Sequence, residues 1–199
     1  GILSTPDTNR RWPDVLQRRL LAEPRLARLA VLNAGISGNQ VTRDHPAFGD
    51  AAVDRIGADL LELAGLRAVL VLEGINDIGM SGSDFFGTAN PPVTAGQLIG
   101  AYQQIIARAR QHGIRVYGGT LLPFMGAMYA SAEKEAIRQA VNRWIRTAGA
   151  FDAVIDFDAV VRDPADPSRL APAFDPGDHL HPNDAGYRAK GDAVDLTLF

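Results

Sequence analysis

The chain has 199 residues, 46% of them hydrophobic and 22% charged, with a net charge of −3 and a pI near 5.8. That length can bury a sizeable core in one domain over 1–199, and the mildly acidic balance argues against nucleic acid as a partner. The lack of cysteine excludes disulfides, thiolate metal sites and a cysteine nucleophile, and the longest strongly apolar run, 68–72, is far too short for a transmembrane segment.

The first residues, Gly1 to Pro6, read as the interior of a loop. A leader could have preceded them, which leaves the compartment open. Trp12, Val15, Leu16 and Leu20 recur at helical spacing with Pro13 in the first turn, so a helix is predicted over 11–23, ending before Pro24. Residues 29–33 form a short apolar run closed by Gly35 and Gly38, the pattern of a buried strand entering a loop. Val53, Ile56, Leu60 and Leu63 predict a helix over 51–63, and 67–73 is the most strand-like stretch of all.

After Gly74, Ile75, Asn76 and Asp77 a glycine- and proline-containing loop runs to Pro92, long enough to suggest a substrate wall. Thr94 is placed to cap a helix ended by Gly113, and 114–121 is the next strand. Ser131 starts another helix, whose buried face is expected to hold Ile137, Val141, Trp144 and Ile145. The last strand is expected over 151–157, and Asp184 is expected to cap the final helix. Strands alternating with helices predict an α/β fold: a parallel sheet covered on both faces, in a three-layer α/β/α arrangement of the flavodoxin-like kind with about five strands. Only four strands are visible, so the first and central strand is expected upstream or on another chain.

The chemistry is concentrated beyond the carboxyl ends of the strands, where open parallel sheets form their sites. Asp178 stands three residues before His181, and Pro182 follows. That spacing suits a carboxylate orienting an imidazole general base. Gly38 can bring a backbone N–H close to a substrate oxygen, and Asn76 offers an amide donor, together the parts of an oxyanion hole. Asp77 is expected to hold its loop rather than react, and His179 to be a bystander on the rim. Asp178, His179, His181 and Asp184 could also be read as a metal cluster, though they lack spaced partners elsewhere. Trp12 and Trp144 read as core, and Phe85, Phe86, Phe124, Met125, Met128 and Tyr129 as the lining of an acyl pocket or a lid.

Asn33 to Asn39, then Gly74-Ile75-Asn76-Asp77, then Asp178 to Pro182 resemble the second, third and fifth blocks of the GDSL/SGNH serine hydrolase family, in the family's order. The resemblance spans nearly the whole chain. It implies a carboxylic ester hydrolase working through an acyl-enzyme, with His181 as base, Asp178 orienting it, and Gly38 and Asn76 as oxyanion donors. It implies a small-molecule ester as substrate and neither cofactor nor metal. The family's first block, Gly-Asp-Ser-Ile/Leu, is not found in the sequence. The nucleophilic serine is therefore expected upstream of Gly1, on a removed or separate N-terminal segment. Ser37 is the one serine in the chain near the expected donors. The rival reading is a catalytically inert module of the same kind that binds an acyl or sugar ligand. A nucleotide binder is disfavoured, because no Gly-x-Gly-x-x-Gly or Walker loop follows a strand.

Overall fold

Pro13 in the first turn, and Asp14 accepting the Arg11 backbone N–H at 3.0 Å, open the first helix one residue inside the predicted span. The computed structural model describes the backbone of residues 1–199 and every side chain except that of Leu61. In chain order the elements are α1 (Trp12–Ala22), α2 (Ala52–Ile56) running on as a π-helical turn (Gly57–Leu61), β1 (Ala68–Val71) and α3 (Ile75–Met80). There follow β2 (Ser83–Phe85), β3 (Thr88–Asn90), α4 (Ala95–Gln111), β4 (Arg115–Gly119), α5 (Ala132–Thr147), β5 (Ala153–Ile155), α6 (Phe157–Val161) and α7 (Asp184–Asp192). These elements cluster into two units.

The first unit comprises Gly1–Ala34, Leu122–Ala130 and Ile155–Phe199. In it α1 packs on α7, burying Val15, Leu16 and Leu20 with Tyr187 and Val194. Arg19 Nη1 donates to the carbonyls of Gly191 and Val194, both at 2.7 Å, where α7 ends and its carbonyls lack helical partners. The predicted strand over 29–33 does not form. The Gln17 side chain takes the place of a neighbouring strand: its Nε2 donates to the Leu29 carbonyl at 3.1 Å, and its Oε1 accepts the Val31 N–H at 2.6 Å. With no strand ladder to bury it, Leu32 stays 66% exposed.

The second unit comprises Gly35–Leu121 and Ser131–Val154. β1 pairs in parallel with β4, from Ala68 opposite Arg115 to Val71 opposite Gly118, in a sheet ordered β1-β4-β5. Asp152 brings in β5. Its N–H donates to the Val116 carbonyl at 2.8 Å, and its carboxylate accepts the Val116 N–H at 2.7 Å. α4 covers β4 with Leu98, Ala101, Ile105 and Ile106, and Thr94 caps it as expected, accepting the Gln97 N–H at 3.2 Å. Ser131 caps α5 in the same way, accepting from Lys134.

The fold is thus α/β, with a parallel three-stranded sheet flanked by helices. Of the four strands expected within these residues, three form the sheet and 29–33 does not join it. Three local expectations also need correction. The stretch between Asp77 and Pro92 is not one long loop: it holds the end of α3 and the β2–β3 hairpin, paired Ser83 to Asn90. The helix predicted over 51–63 loses its regular turn at Gly57, which leaves Leu63 exposed. The buried face of α5 carries Arg138 rather than Ile137. Arg138 donates to the Leu121 carbonyl at 2.9 Å and to Glu135, so its charge enters the core already paired.

Lys190 of α7 has no such pairing. Its Nζ lies among the rings of Phe157, Tyr187 and Trp12, at 5.0, 5.7 and 5.9 Å from their centroids, with no carboxylate beside it among the described residues. Ring attraction offsets about 0.5–2 kcal/mol, less than the several kcal/mol that desolvating an ammonium costs. Burial therefore pulls the Lys190 amine down to about 7. Between that value and the ordinary 10.5 the unfolded chain binds more protons, so stability from this group rises with pH across the window. Lys190→Met, which keeps the length and gains a thioether against the rings, should raise Tm by at least about 3 °C at pH 6. The gain should shrink as pH approaches 10. Thermal unfolding followed by circular dichroism at the two pH values checks this.

Candidate active site

In the first unit Asp178 and His181 come together as expected. One carboxylate oxygen, Oδ1, accepts the backbone N–H groups of Leu180 at 3.0 Å and His181 at 2.9 Å, which closes the turn. The other, Oδ2, lies 2.6 Å from His181 Nδ1. Burial opposes ionisation of Asp178, but the imidazole N–H and the two backbone donors outweigh it, and the carboxyl lies below its ordinary value. With Nδ1–H donated to Asp178, the neutral ring carries its lone pair on Nε2, the arrangement a general base requires. The ring is 33% exposed. The hydroxyls of Tyr129 and Tyr187 are raised, chiefly by burial and further by the Asp178 charge.

Pro182 and Asn183 end the turn. Asn183, not Asp184, caps α7, accepting the Gly186 N–H at 3.1 Å. Asp184 instead accepts the Thr5 N–H at 2.8 Å, the Thr5 hydroxyl at 2.6 Å and Arg10 at 3.0 Å. It ties down the N-terminal loop, which takes it out of the metal cluster considered from the sequence.

The second unit holds Gly38 and Asn76. Gly38 has φ +76°, and a Cβ there would overlap the Phe48 ring, so only glycine fits. Its N–H meets no protein acceptor among the described residues. Asn76, in the first turn of α3, donates to the Asn39 carbonyl at 2.9 Å. Asn39 is itself pinned: its amide donates to the carbonyls of Phe48 and Asp50, and its Oδ1 accepts from Arg55 at 3.0 and 3.1 Å. Asp77 holds its loop, accepting the N–H groups of Val41 and Thr42 at 2.8 and 2.9 Å and the Thr42 hydroxyl at 2.6 Å. Burial nevertheless raises its carboxyl above the ordinary value.

Two features escaped the sequence reading. Glu73, just before Gly74, is pushed up to about 7, first by burial; Arg55 works against the shift and Asp77 with it. Nothing in its local sequence distinguishes it from a strand-end residue. The second is His179, whose Nδ1 lies 2.5 Å from Asp175 Oδ2. An aspartate four residues before a histidine was the available signal. Among the serines, Ser37 is exposed, whereas Ser81 accepts the Val93 N–H and Ser83, Ser131 and Ser168 serve turns or caps.

The model of the GDSL-like lipase/acylhydrolase family matches residues 1–189. The chain belongs to this family. It is a carboxylic ester hydrolase of the GDSL type. The family match does not bear out the expectation of a missing first block, and a separate N-terminal segment is not shown. Solved structures agree on the fold. A lipolytic protein of the G-D-S-L family from Desulfitobacterium hafniense superposes with a TM-score of 0.66 at 16% identity, covering 96% of this chain and 90% of that one. The acetyl xylan esterase AlAXEase gives 0.67 at 18%, covering 96% and 94%. An aryl esterase from M. smegmatis gives 0.65 at 16%, covering 93% and 82%. No curated protein matches. Among the described residues of this GDSL-family chain, no helix is long and apolar enough to cross a membrane.

Asp77→Ala should strip three donors of their acceptor and destabilise the protein by about 3 kcal/mol or more, since each buried donor left unpaired costs about 1–3 kcal/mol. Asp77→Asn, which keeps one acceptor oxygen, should lose less. Urea unfolding of the two variants checks the order.

Proposed function

We propose that the protein hydrolyses small carboxylic esters by acyl transfer to a serine, with His181 as the base that takes the serine proton and Asp178 as the group that fixes the imidazole. The Gly38 N–H and the Asn76 amide would stabilise the oxyanion. His181 would then return its proton to the leaving alcohol, and water, activated by the same ring, would release the acid. No metal or organic cofactor has a part in this scheme.

The observation that carries the reading is the division of labour within Asp178. One oxygen holds the backbone of the turn and the other holds Nδ1, so ring position and tautomer are set by the same carboxylate. The acceptor-free N–H of Gly38, at a position closed to any side chain, supports the oxyanion role.

With p-nitrophenyl acetate, His181→Ala should lower kcat by at least about 10³-fold, and Asp178→Asn by about 10²–10⁴-fold. Gly38 tolerates no side chain, so the donor role is tested at Asn76: Asn76→Ala should cost about 10²–10³ in kcat. A fluorophosphonate should label one serine, and peptide mapping of the adduct identifies it. Unchanged turnover in His181→Ala would remove the imidazole from the mechanism.

A further inference from the structure

His179 repeats, two residues upstream, the arrangement made by His181. Asp175 Oδ1 accepts the backbone N–H groups of Gly177 at 2.8 Å and His179 at 3.1 Å, while Oδ2 holds His179 Nδ1. The ring is restrained in two further ways. His179 has φ +59°, a left-handed conformation that costs a non-glycine residue about 1 kcal/mol or more. The ring also lies over Gly126 (φ +106°), where a Cβ would come within 2.9 Å of its Cγ. A bystander on the rim needs none of these restraints. Together they aim an imidazole, 43% exposed, with its Nε2 lone pair turned away from its carboxylate.

A donor reaches the same glycine. Arg169 Nη1 lies 2.9 Å from the same point above Gly126. Its Nε is tied to Asp166 at 3.2 Å, and its terminal nitrogens meet no protein acceptor among the described residues. The local charge decides what such a pair can receive. Asp166, Asp175 and Asp178 are all held below the ordinary carboxyl value. Three carboxylates repel a phosphate or a carboxylate ligand. A neutral ligand that donates one hydrogen bond and accepts another meets no such penalty, and neighbouring hydroxyls on a sugar ring do both.

We propose that His179 and Arg169, set either side of Gly126, form a subsite for the alcohol part of the ester, and that this alcohol is a carbohydrate-type polyol. The proposal rests on the esterase reading above and names the substrate class for the same turn. His179 accepts a sugar hydroxyl at Nε2, and Arg169 donates to its neighbour.

The test has two arms. The first compares kcat/KM for an acetylated methyl xyloside with that for p-nitrophenyl acetate. His179→Leu and Arg169→Met should each lower the ratio of the two about tenfold, chiefly through KM for the sugar ester. An unchanged ratio overturns the subsite. The second arm needs no turnover: the His179 ring resonances of the intact protein are followed by NMR while methyl β-xyloside or inorganic phosphate is added. The subsite predicts a saturable shift with the xyloside alone. A shift with phosphate alone, or with neither, overturns it. If the protein hydrolyses neither ester but the xyloside still shifts the ring, the esterase reading fails and the polyol site stands. Gly126→Ala, which changes neither candidate side chain, should weaken the xyloside response by displacing both.

Discussion

A carboxylate has two oxygens, and the turn from Asp178 to His181 depends on spending them differently. Asp178 gives one to the backbone it must shape and the other to the imidazole it must aim. The two interactions reinforce each other. Backbone donors keep the carboxylate ionised, the ionised carboxylate holds the ring N–H, and the ring cannot turn without giving up a charge-assisted bond. Asp175 follows the same scheme at His179, and Asp77 shows the backbone half of it at residues 41 and 42. In each case a short loop gets its shape from a side chain where regular secondary structure is lacking.

How much of this was legible in the sequence depends on how local the cause was. Asp178 and His181 were readable because the spacing alone brings them into reach. Gly38 was singled out for a close approach to a substrate oxygen; what the structure adds is a left-handed turn packed against the Phe48 ring, which by itself asks for glycine. The caps at Thr94 and Ser131 were readable for the same reason: the acceptor and its N–H are three residues apart. Residues 29–33 were misread because a strand is defined by its partner, and the apolar pattern says nothing about whether one is present. Asp184 was misread because its partners, Thr5 and Arg10, lie at the far end of the chain. Nor could helical periodicity reveal that Arg138 occupies a core position: Glu135 is one turn away, but the Leu121 carbonyl it also reaches is distant in sequence.

Two buried titratable groups set opposing pH dependences. Glu73 titrates in the folded protein near 7, above its ordinary value, so the folded chain holds the extra proton between about 4.5 and 7, and stability from this group falls as pH rises through that window. Lys190 acts in the other direction above 7. Their summed contribution is therefore least favourable near neutrality. Both shifts come from burial, one on the strand end leading to Gly74, the other under the aromatic rings of the first unit.

Those rings give the molecule an optical property. The chain has two tryptophans, and each unit holds one. Trp12 lies beside an amine whose proton affinity burial lowers to about 7, with the Phe157 ring 5.5 Å away. Trp144 stacks on Tyr102 at 6.2 Å and meets Phe151 edge-on. Intrinsic fluorescence thus contains two independent signals. The indole at position 12 is placed to report on the charge of its neighbour, and the one at 144 on the packing of α4 against α5, without an added dye.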